Sequence, residues 1–193
     1  MPILLLPLMM LGMAAAPVAA ADEPLPTIFD LPLDQPVVLP ECSRGGMGRL
    51  YSDTQQTSCQ VPAGAESSSR PNNGAIIFTA TKAPWFLNSN RVETIVIDGK
   101  LEGMVALTKP VGAVTGLAMD LINKFGVPTQ NGYDPVEPGR LPTLRMVWDR
   151  PGYTVEYVAP PSLRNPGTLT VETAKARAAR LGGNPADGER ARL

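Results

Sequence analysis

The sequence predicts a small α+β protein: an antiparallel sheet made of a hairpin and a three-stranded meander, with one main amphipathic helix packed on it. Apolar residues alternate along several short segments between 92 and 173, which indicates strands, and one segment near 110–125 has a helical period instead. The chain also contains 21 prolines and 18 glycines in 193 residues, so its elements are short and separated by many turns. The order of hairpin, helix and meander is typical of the α+β class.

Residues 1–21 have the features of a secretory signal peptide, with no charged side chain, an apolar centre and an alanine-rich end. Small residues at Ala19 and Ala21 predict cleavage before Asp22, or one residue earlier, and export to the periplasm or the exterior. One alternative is an uncleaved anchor in the inner membrane, since about twenty apolar residues can span a bilayer. Because no lysine or arginine precedes Arg44, a translation start upstream of the given one is also open.

The rest of the chain divides into a linker at 22–26, a single domain at 27–173 and a basic tail at 174–193. A chain of this length is sufficient for one hydrophobic core. In the tail, lysine and arginine are interspersed with alanine and glycine, so we expect a mobile, solvated segment. The alternative is a weak attraction of this segment to anionic lipids or cell-wall polymers.

Cys42 and Cys59 are the two cysteines of the chain and are predicted to form a disulfide that staples the N-terminal segment. In an oxidising compartment, such a pair is normally bridged. A redox role is disfavoured because redox pairs usually have the Cys-x-x-Cys spacing.

The first predicted strands are 75–79 and 92–97, and the dipeptide Asp98-Gly99 follows the second one. Between two apolar segments this dipeptide predicts a type I′ turn, whose two central residues need positive φ. The returning strand is 100–108, with two alternating faces, one carrying Leu101, Gly103, Val105 and Leu107 and the other Lys100, Glu102, Met104 and Ala106.

A helix is predicted next, because apolar residues recur with a period of about 3.6. Its stripe consists of Val114, Leu117, Ala118, Leu121, Ile122 and Phe125. Gly126 suits the left-handed position after a helix, and Pro128 prevents the helix from continuing. The meander is predicted at 143–150, 153–159 and 168–173.

Three motifs resemble parts of uncharacterised secreted or periplasmic proteins of proteobacteria. They are the opening segment at 29–42, the sequence Ile-Asp-Gly-Lys-Leu-Glu-Gly at 97–103, and Leu-Ile-Asn-Lys-Phe-Gly-Val-Pro-Thr at 121–129. More distantly, the helix and meander are similar to small outer-membrane-assembly lipoproteins and to β-lactamase-inhibitor-like proteins. Both groups bind other proteins, so the resemblance implies a binder. The chain departs from the lipoproteins in lacking a lipidated cysteine, and no functional residue is carried over.

The composition excludes several kinds of chemistry. The chain has no histidine, which rules out a Ser-His-Asp or Cys-His catalytic group and a histidine-ligated zinc within it. It also has no nucleotide-binding or calcium-loop motif, so we predict neither a cofactor nor a metal. Its net charge of −1 gives no overall attraction to nucleic acid or to an anionic membrane.

Carboxylates carry the best enzymatic alternative, a hydrolase of cell-wall glycans. Two acidic groups about 5–9 Å apart can cleave a glycosidic bond, and Glu156 and Glu172 would supply them if their strands are neighbours. The simpler interpretation is that both side chains are exposed polar positions on alternating strands. We also expect Glu93 and Glu102, on either side of the hairpin turn, to be solvated charges.

Aromatic residues carry the binding hypothesis. Trp85 and Phe86 lie in a turn-rich segment, where no periodicity requires large side chains, and exposed aromatics are typical anchors of protein interfaces. Alternatively, they cover one end of the core. Tyr153 and Tyr157 share one face of a predicted strand and either extend a binding platform or pack under the helix.

We therefore predict a non-enzymatic binding or envelope-associated structural protein of the periplasm or exterior. Its partner would be an envelope protein or a cell-wall component, with no stable membrane insertion after the signal is removed. The alternatives are the glycan hydrolase and an inhibitor that blocks the active site of a secreted enzyme.

Overall fold

The computed structural model describes residues 27–43, 57–65, 73–110, 116–134, 142–162 and 164–182. The predicted signal peptide at 1–21, the linker at 22–26 and the last part of the basic tail, 183–193, lie outside these residues, as does Val114 of the predicted helical stripe.

Most of the described chain consists of β-strands. In chain order the elements are β1 (Thr27–Ile28), β2 (Leu31–Pro32), β3 (Cys59–Val61), β4 (Asn73–Ile77), β5 (Arg91–Ile97), β6 (Lys100–Thr108), α1 (Leu117–Phe125), β7 (Gln130–Tyr133), β8 (Leu144–Arg150), β9 (Tyr153–Ala159), β10 (Gly167–Thr173) and α2 (Ala174–Gly182). Strands β1 and β2 form a small hairpin of their own. The other eight strands form one antiparallel sheet in the order β3-β4-β5-β6-β10-β9-β8-β7.

The predicted α+β class is wrong, because the fold is largely β. The sheet has eight strands, whereas the two helices have nine residues each, so no main helix defines the architecture. Strands β3 and β7 were not predicted. They contain the sequences Cys-Gln-Val and Gln-Asn-Gly-Tyr, which have too few apolar or β-branched residues to give an alternating pattern.

One face of the sheet carries the core, and we call it the core face. Its buried side chains come from the centre of the sheet, and they include Val92, Met104, Ala106, Leu169, Val171, Val155, Tyr157, Met146 and Trp148. Three pieces of chain cover this face: helix α1, the N-terminal segment 29–39 and the loop 83–87. The opposite face, which we call the open face, carries the alternate residues of the same strands.

Helix α1 packs on the core face through Leu117, Leu121 and Phe125, as its apolar stripe predicts. The helix ends at Gly126, as predicted, but its φ of 78° and ψ of −164° are not the left-handed helical conformation expected there; they belong to a region that glycine alone adopts readily. The indole N–H of Trp148 donates to the Gly126 carbonyl at 2.7 Å, so the end of the helix is tied to β8.

The β5–β6 hairpin has the predicted turn, since Asp98 and Gly99 both have positive φ, at 52° and 77°. The predicted alternation along β6 is wrong, however. The register shifts between Ile95 and Val96, where one extra residue of β6 forms a β-bulge. Beyond the bulge Met104 and Ala106 face the core, whereas Leu107 lies on the open face and is 48% exposed.

Residues 174–182 of the predicted mobile tail form helix α2 instead, which follows β10 directly and contacts β10 and β6. Only Ala176 among its described side chains is buried. Its attachment is therefore polar, and the sequence of the segment alone gives no sign of the groups that hold it.

The predicted disulfide between Cys42 and Cys59, which lie 17 positions apart, is confirmed. It joins the N-terminal segment to the edge strand β3. The same two pieces are also joined by backbone bonds at 2.8 Å, from the Cys42 N–H to the Gln60 carbonyl and from the Gln60 N–H to the Pro40 carbonyl. One edge of the sheet is thereby covered by the chain itself.

Candidate functional site

Trp85 has 51% of its surface exposed and is, after Tyr133 at 68%, the most exposed aromatic side chain among the described residues. It lies in the loop between β4 and β5. This loop begins with a turn in which the backbone N–H groups of Lys82 and Ala83 both donate to the Thr79 carbonyl. Pro84 then starts a second turn, closed by a 3.0 Å bond from the Leu87 N–H to the Pro84 carbonyl.

The backbone on either side of Trp85 is fixed to the end of β6. The Lys109 N–H donates to the Phe86 carbonyl at 2.7 Å, and the Asn88 N–H donates to the Leu107 carbonyl at 2.9 Å. The Lys109 ammonium also donates to the carbonyl of Trp85 itself at 2.5 Å. Trp85 is therefore presented by a loop whose main chain is held in place.

A row of aromatic rings connects Trp85 to the core. The ring of Trp85 meets that of Phe86 edge to face at 6.1 Å, Phe86 lies 6.0 Å from Phe29, and Phe29 lies 5.7 Å from the buried Phe78. Such pairs contribute about 0.5–1.5 kcal/mol each beyond the area they bury. The exposed indole is thus connected to the buried Phe78 ring through two half-buried rings.

Trp85 and Phe86, which the sequence treats as a pair, have different environments. Phe86 is half-buried and packs against the core, so it supports its neighbour and also covers the end of the core. Trp85 keeps about half of its surface in solvent. We therefore regard Trp85 as the candidate contact residue.

Tyr153 and Tyr157 are not brought together with Trp85 in one surface. Both lie on the core face of β9. Tyr157 is 2% exposed and belongs to the core, and Tyr153 is half-buried against it. The pKa of Tyr157 is raised, because the effect of burial is larger than the opposite effect of a hydrogen bond with Thr108. On this face the two tyrosines pack into or against the core and do not form an exposed platform.

Glu156 and Glu172 lie on neighbouring strands of the open face, which meets one condition for the hydrolase. Each carboxylate is, however, paired with an arginine. Arg145 donates to Glu156, and Arg180 donates to both oxygens of Glu172, at 3.0 and 2.6 Å. These bonds raise the pKa values of both guanidinium groups. Glu172 is also buried, so a substrate cannot reach it. The other carboxylate, Glu156, is bound to Arg145 and is not free to act as its catalytic partner.

The expectation that Glu102 is a solvated charge is wrong, because the side chain is 2% exposed. It lies at the β-bulge of β6. The Thr173 hydroxyl donates to its carboxylate at 2.5 Å, and the Lys175 ammonium lies 3.7 Å away. The Thr173 oxygen also accepts a hydrogen bond from the Ala176 N–H, as a helix cap does. Glu102 therefore places a negative charge at the start of α2, where the helix dipole favours it.

Two clefts lie elsewhere on the molecule. One of about 290 Å³ is next to Glu102 and is lined by Asp34, Glu102, Gly152, Thr173, Ala174 and Lys175. The other, of about 270 Å³, lies between the N-terminal segment and strands β3 to β5. Neither cleft contains Glu156 or Glu172, so neither supplies the paired carboxylates that glycan hydrolysis requires.

Among the residues that the structure describes, no group of three or more acidic or cysteine side chains is placed to hold a metal ion. Within the same residues, no helix has the length and apolar character needed to cross a membrane. The chain matches no family model, no curated protein and no solved structure. The function must therefore be argued from the site itself.

Proposed function

We propose that this protein works outside the cytoplasm as a non-enzymatic binding protein, and that Trp85 anchors a protein of the cell envelope. The observation that carries the proposal is the combination of a half-exposed indole with a backbone fixed by three hydrogen bonds to residues at the end of β6. A contact residue that is held in place before binding loses little conformational entropy when a partner arrives.

The compartment follows from the disulfide and from the first residues of the chain. A disulfide between Cys42 and Cys59 persists in oxidising compartments, and the apolar, alanine-ended segment 1–21 is typical of an export signal. Both features support the periplasm or the exterior as the place of action.

The binding role is favoured over the hydrolase because of what the carboxylates of the open face contact. A general acid needs a proton to give, and a nucleophile needs an open approach to the sugar. Glu156 and Glu172 each face an arginine instead. Their contacts stabilise the fold, and no second observation supports catalysis.

The test is affinity capture from a native envelope extract with residues 22–193, disulfide intact, as bait. We expect a specific protein to be retained by the parent and lost with Trp85→Ala. The matched control is Met119→Ala, which removes another exposed apolar side chain, 57% exposed, from helix α1. With the purified partner, calorimetry should show a loss of affinity of about thirtyfold or more for Trp85→Ala, as for an interface hot spot.

Two results would overturn the proposal. One is a partner that binds the parent and Trp85→Ala with equal affinity, because the indole would then not be the anchor. The other is the absence of any protein partner together with release of soluble fragments from purified peptidoglycan, which would favour the hydrolase.

A further inference from the structure

The two edges of the eight-stranded sheet differ. At β3 the outer backbone groups of Gln60 bond to the N-terminal segment, so that edge is closed. At β7 the only strand paired within the described part of the chain is β8. All four residues of β7 are exposed, although the facing strand β8 is buried at its centre. As far as the described residues are concerned, this second edge is open.

Two residues of β7 point their backbone groups away from the sheet. The Asp134 N–H donates to the Thr143 carbonyl at 3.0 Å, so Asp134 and Thr143 form a hydrogen-bonded pair next to the β7–β8 ladder. Hydrogen-bonded and non-hydrogen-bonded pairs alternate along an antiparallel ladder. The backbone N–H and C=O groups of Gln130 and Gly132 therefore point to β8, whereas those of Asn131 and Tyr133 point outward. Their N–H and C=O groups are available to another strand.

β7 is short, with four residues, but it lacks three other features that prevent pairing at a sheet edge. Natural edges are protected by lysine, by proline within the strand or by a bulge. Residues 127–133 contain no charged side chain, the one proline precedes the strand, and the register with β8 is unbroken. Two exposed apolar side chains flank the edge, Val127 at 78% and Tyr133 at 68%.

We propose that β7 pairs with β7 of a second copy of this chain, antiparallel and about a twofold axis at Gly132. In this register both outward backbone groups of Asn131 meet those of Tyr133 in the second copy, and the reverse pair forms by symmetry. The two sheets become one continuous sheet. The Tyr133 ring then lies across from Asn131 of the second copy on the core-face side.

Self-pairing fits this edge better than an unrelated strand does, because the segment is neutral. A twofold axis brings identical residues close together, and like charges at such positions destabilise pairing. An uncharged segment avoids that cost and offers no charge by which to select a different partner. Gly132, which would face its own copy at the axis, has nothing within 4 Å of the position of an added β-carbon.

The first test uses a cysteine at the axis. In Gly132→Cys the two sulfurs would meet in a non-hydrogen-bonded pair, whose Cα separation of about 4.5 Å is within the range of disulfides. Under mild oxidation we expect rapid formation of a covalent dimer. The matched control is Gly116→Cys, also an exposed glycine with nothing within 4 Å, which should cross-link only slowly.

The second test measures the oligomeric state by sedimentation equilibrium of residues 22–193 over a concentration series. Asn131→Lys with Tyr133→Lys places like charges opposite each other, and we expect it to raise the dimer dissociation constant about tenfold or more. The control, Val38→Lys with Met119→Lys, adds the same charge at exposed residues outside β7 and should leave dimerisation unchanged. Trp85 is unchanged in both variants, so this test does not depend on its role.

Two outcomes would overturn the inference. One is a parent protein that stays monomeric to its highest soluble concentration. The other is a dimer that neither the lysine pair nor Asn131→Pro weakens, since Asn131→Pro removes an outward N–H and leaves the bonds to β8 in place.

Discussion

Replacing Arg180 by alanine tests whether a buried carboxylate holds helix α2 on the sheet. The Glu172 side chain is 3% exposed, and both its oxygens accept hydrogen bonds from the guanidinium. Arg180→Ala leaves this carboxylate buried without that partner. Removing one member of a buried ion pair typically costs about 3–5 kcal/mol. Arg180 itself is 43% exposed, so water can replace part of the lost contact, and we expect a cost of about 2 kcal/mol.

Urea unfolding of residues 22–193 with the disulfide intact measures this cost. With a slope of about 2 kcal/mol per molar, the midpoint should fall by about 1 M without a change in slope. Arg177→Ala is the matched control on the same helix. Arg177 lies 3.6 Å from Asp149, which is 63% exposed, and donates to the Thr154 hydroxyl at 3.1 Å, so a loss of about 1 kcal/mol or less is expected.

A second substitution identifies the cause of the loss. Glu172→Gln combined with Arg180→Ala removes the buried charge as well as its partner, so we expect the double variant to be more stable than Arg180→Ala alone. If Arg180→Ala were as stable as Arg177→Ala, α2 would not depend on the buried pair, and the interpretation of its attachment would be refuted.

Three further predictions concern the rest of the fold. Removing the disulfide with Cys42→Ser and Cys59→Ser should cost about 3 kcal/mol for a loop of this length, measured by chemical denaturation. Gly167→Ala should lower the stability by about 1–3 kcal/mol in the same assay, because its β-carbon would lie 2.7 Å from the Thr108 hydroxyl. Asp98→Asn should lower the melting temperature slightly at neutral pH. Its ion pair lowers the pKa of Asp98 from the ordinary value of 3.8, so this difference should disappear as the pH falls through the lowered pKa.

The parts of the fold that local chemistry determines were predictable from the sequence. Asp98-Gly99 specifies a turn with two positive φ values, and Gly126 specifies the end of α1, because these conformations depend on a few adjacent residues. The strands at 91–97, 144–150 and 153–159 likewise match their predicted segments closely. The error in fold class came from short, polar strands such as β7, which exist because β8 offers them an edge.

The parts that depend on distant contacts were not predictable. Glu102 is buried because a bulge shifts the register of β6 and because Thr173, 71 positions later, donates to it. No pattern around Glu102 contains that information. Similarly, Ala176 is the one buried residue among the described side chains of α2, and the carboxylates that hold the helix lie on β6 and β10. A segment with basic side chains and no apolar stripe looks like a solvated tail until its partners are known.

In the candidate site, too, some features depend on adjacent residues and others on distant contacts. The sequence indicated that Trp85 and Phe86 lie in a segment whose periodicity does not require them. Their different exposure depends on Phe29, which lies more than fifty positions earlier and packs against Phe86. Tyr157 could not be assigned to one alternative, because both faces of β9 contain large residues and only the complete sheet distinguishes them.

The strongest reason to look for a partner at Trp85 is that the rest of the fold does not need the exposed half of this side chain. The buried charges Glu102 and Glu172 serve the attachment of α2, and Trp148 serves the end of α1. Trp85 buries one side against Phe86 and leaves the other in water, at a loop with several main-chain bonds. A residue needed only to close the core would be buried more completely by a smaller or more flexible side chain. Holding a large aromatic ring rigidly and half exposed is instead typical of an anchor that awaits a complementary pocket.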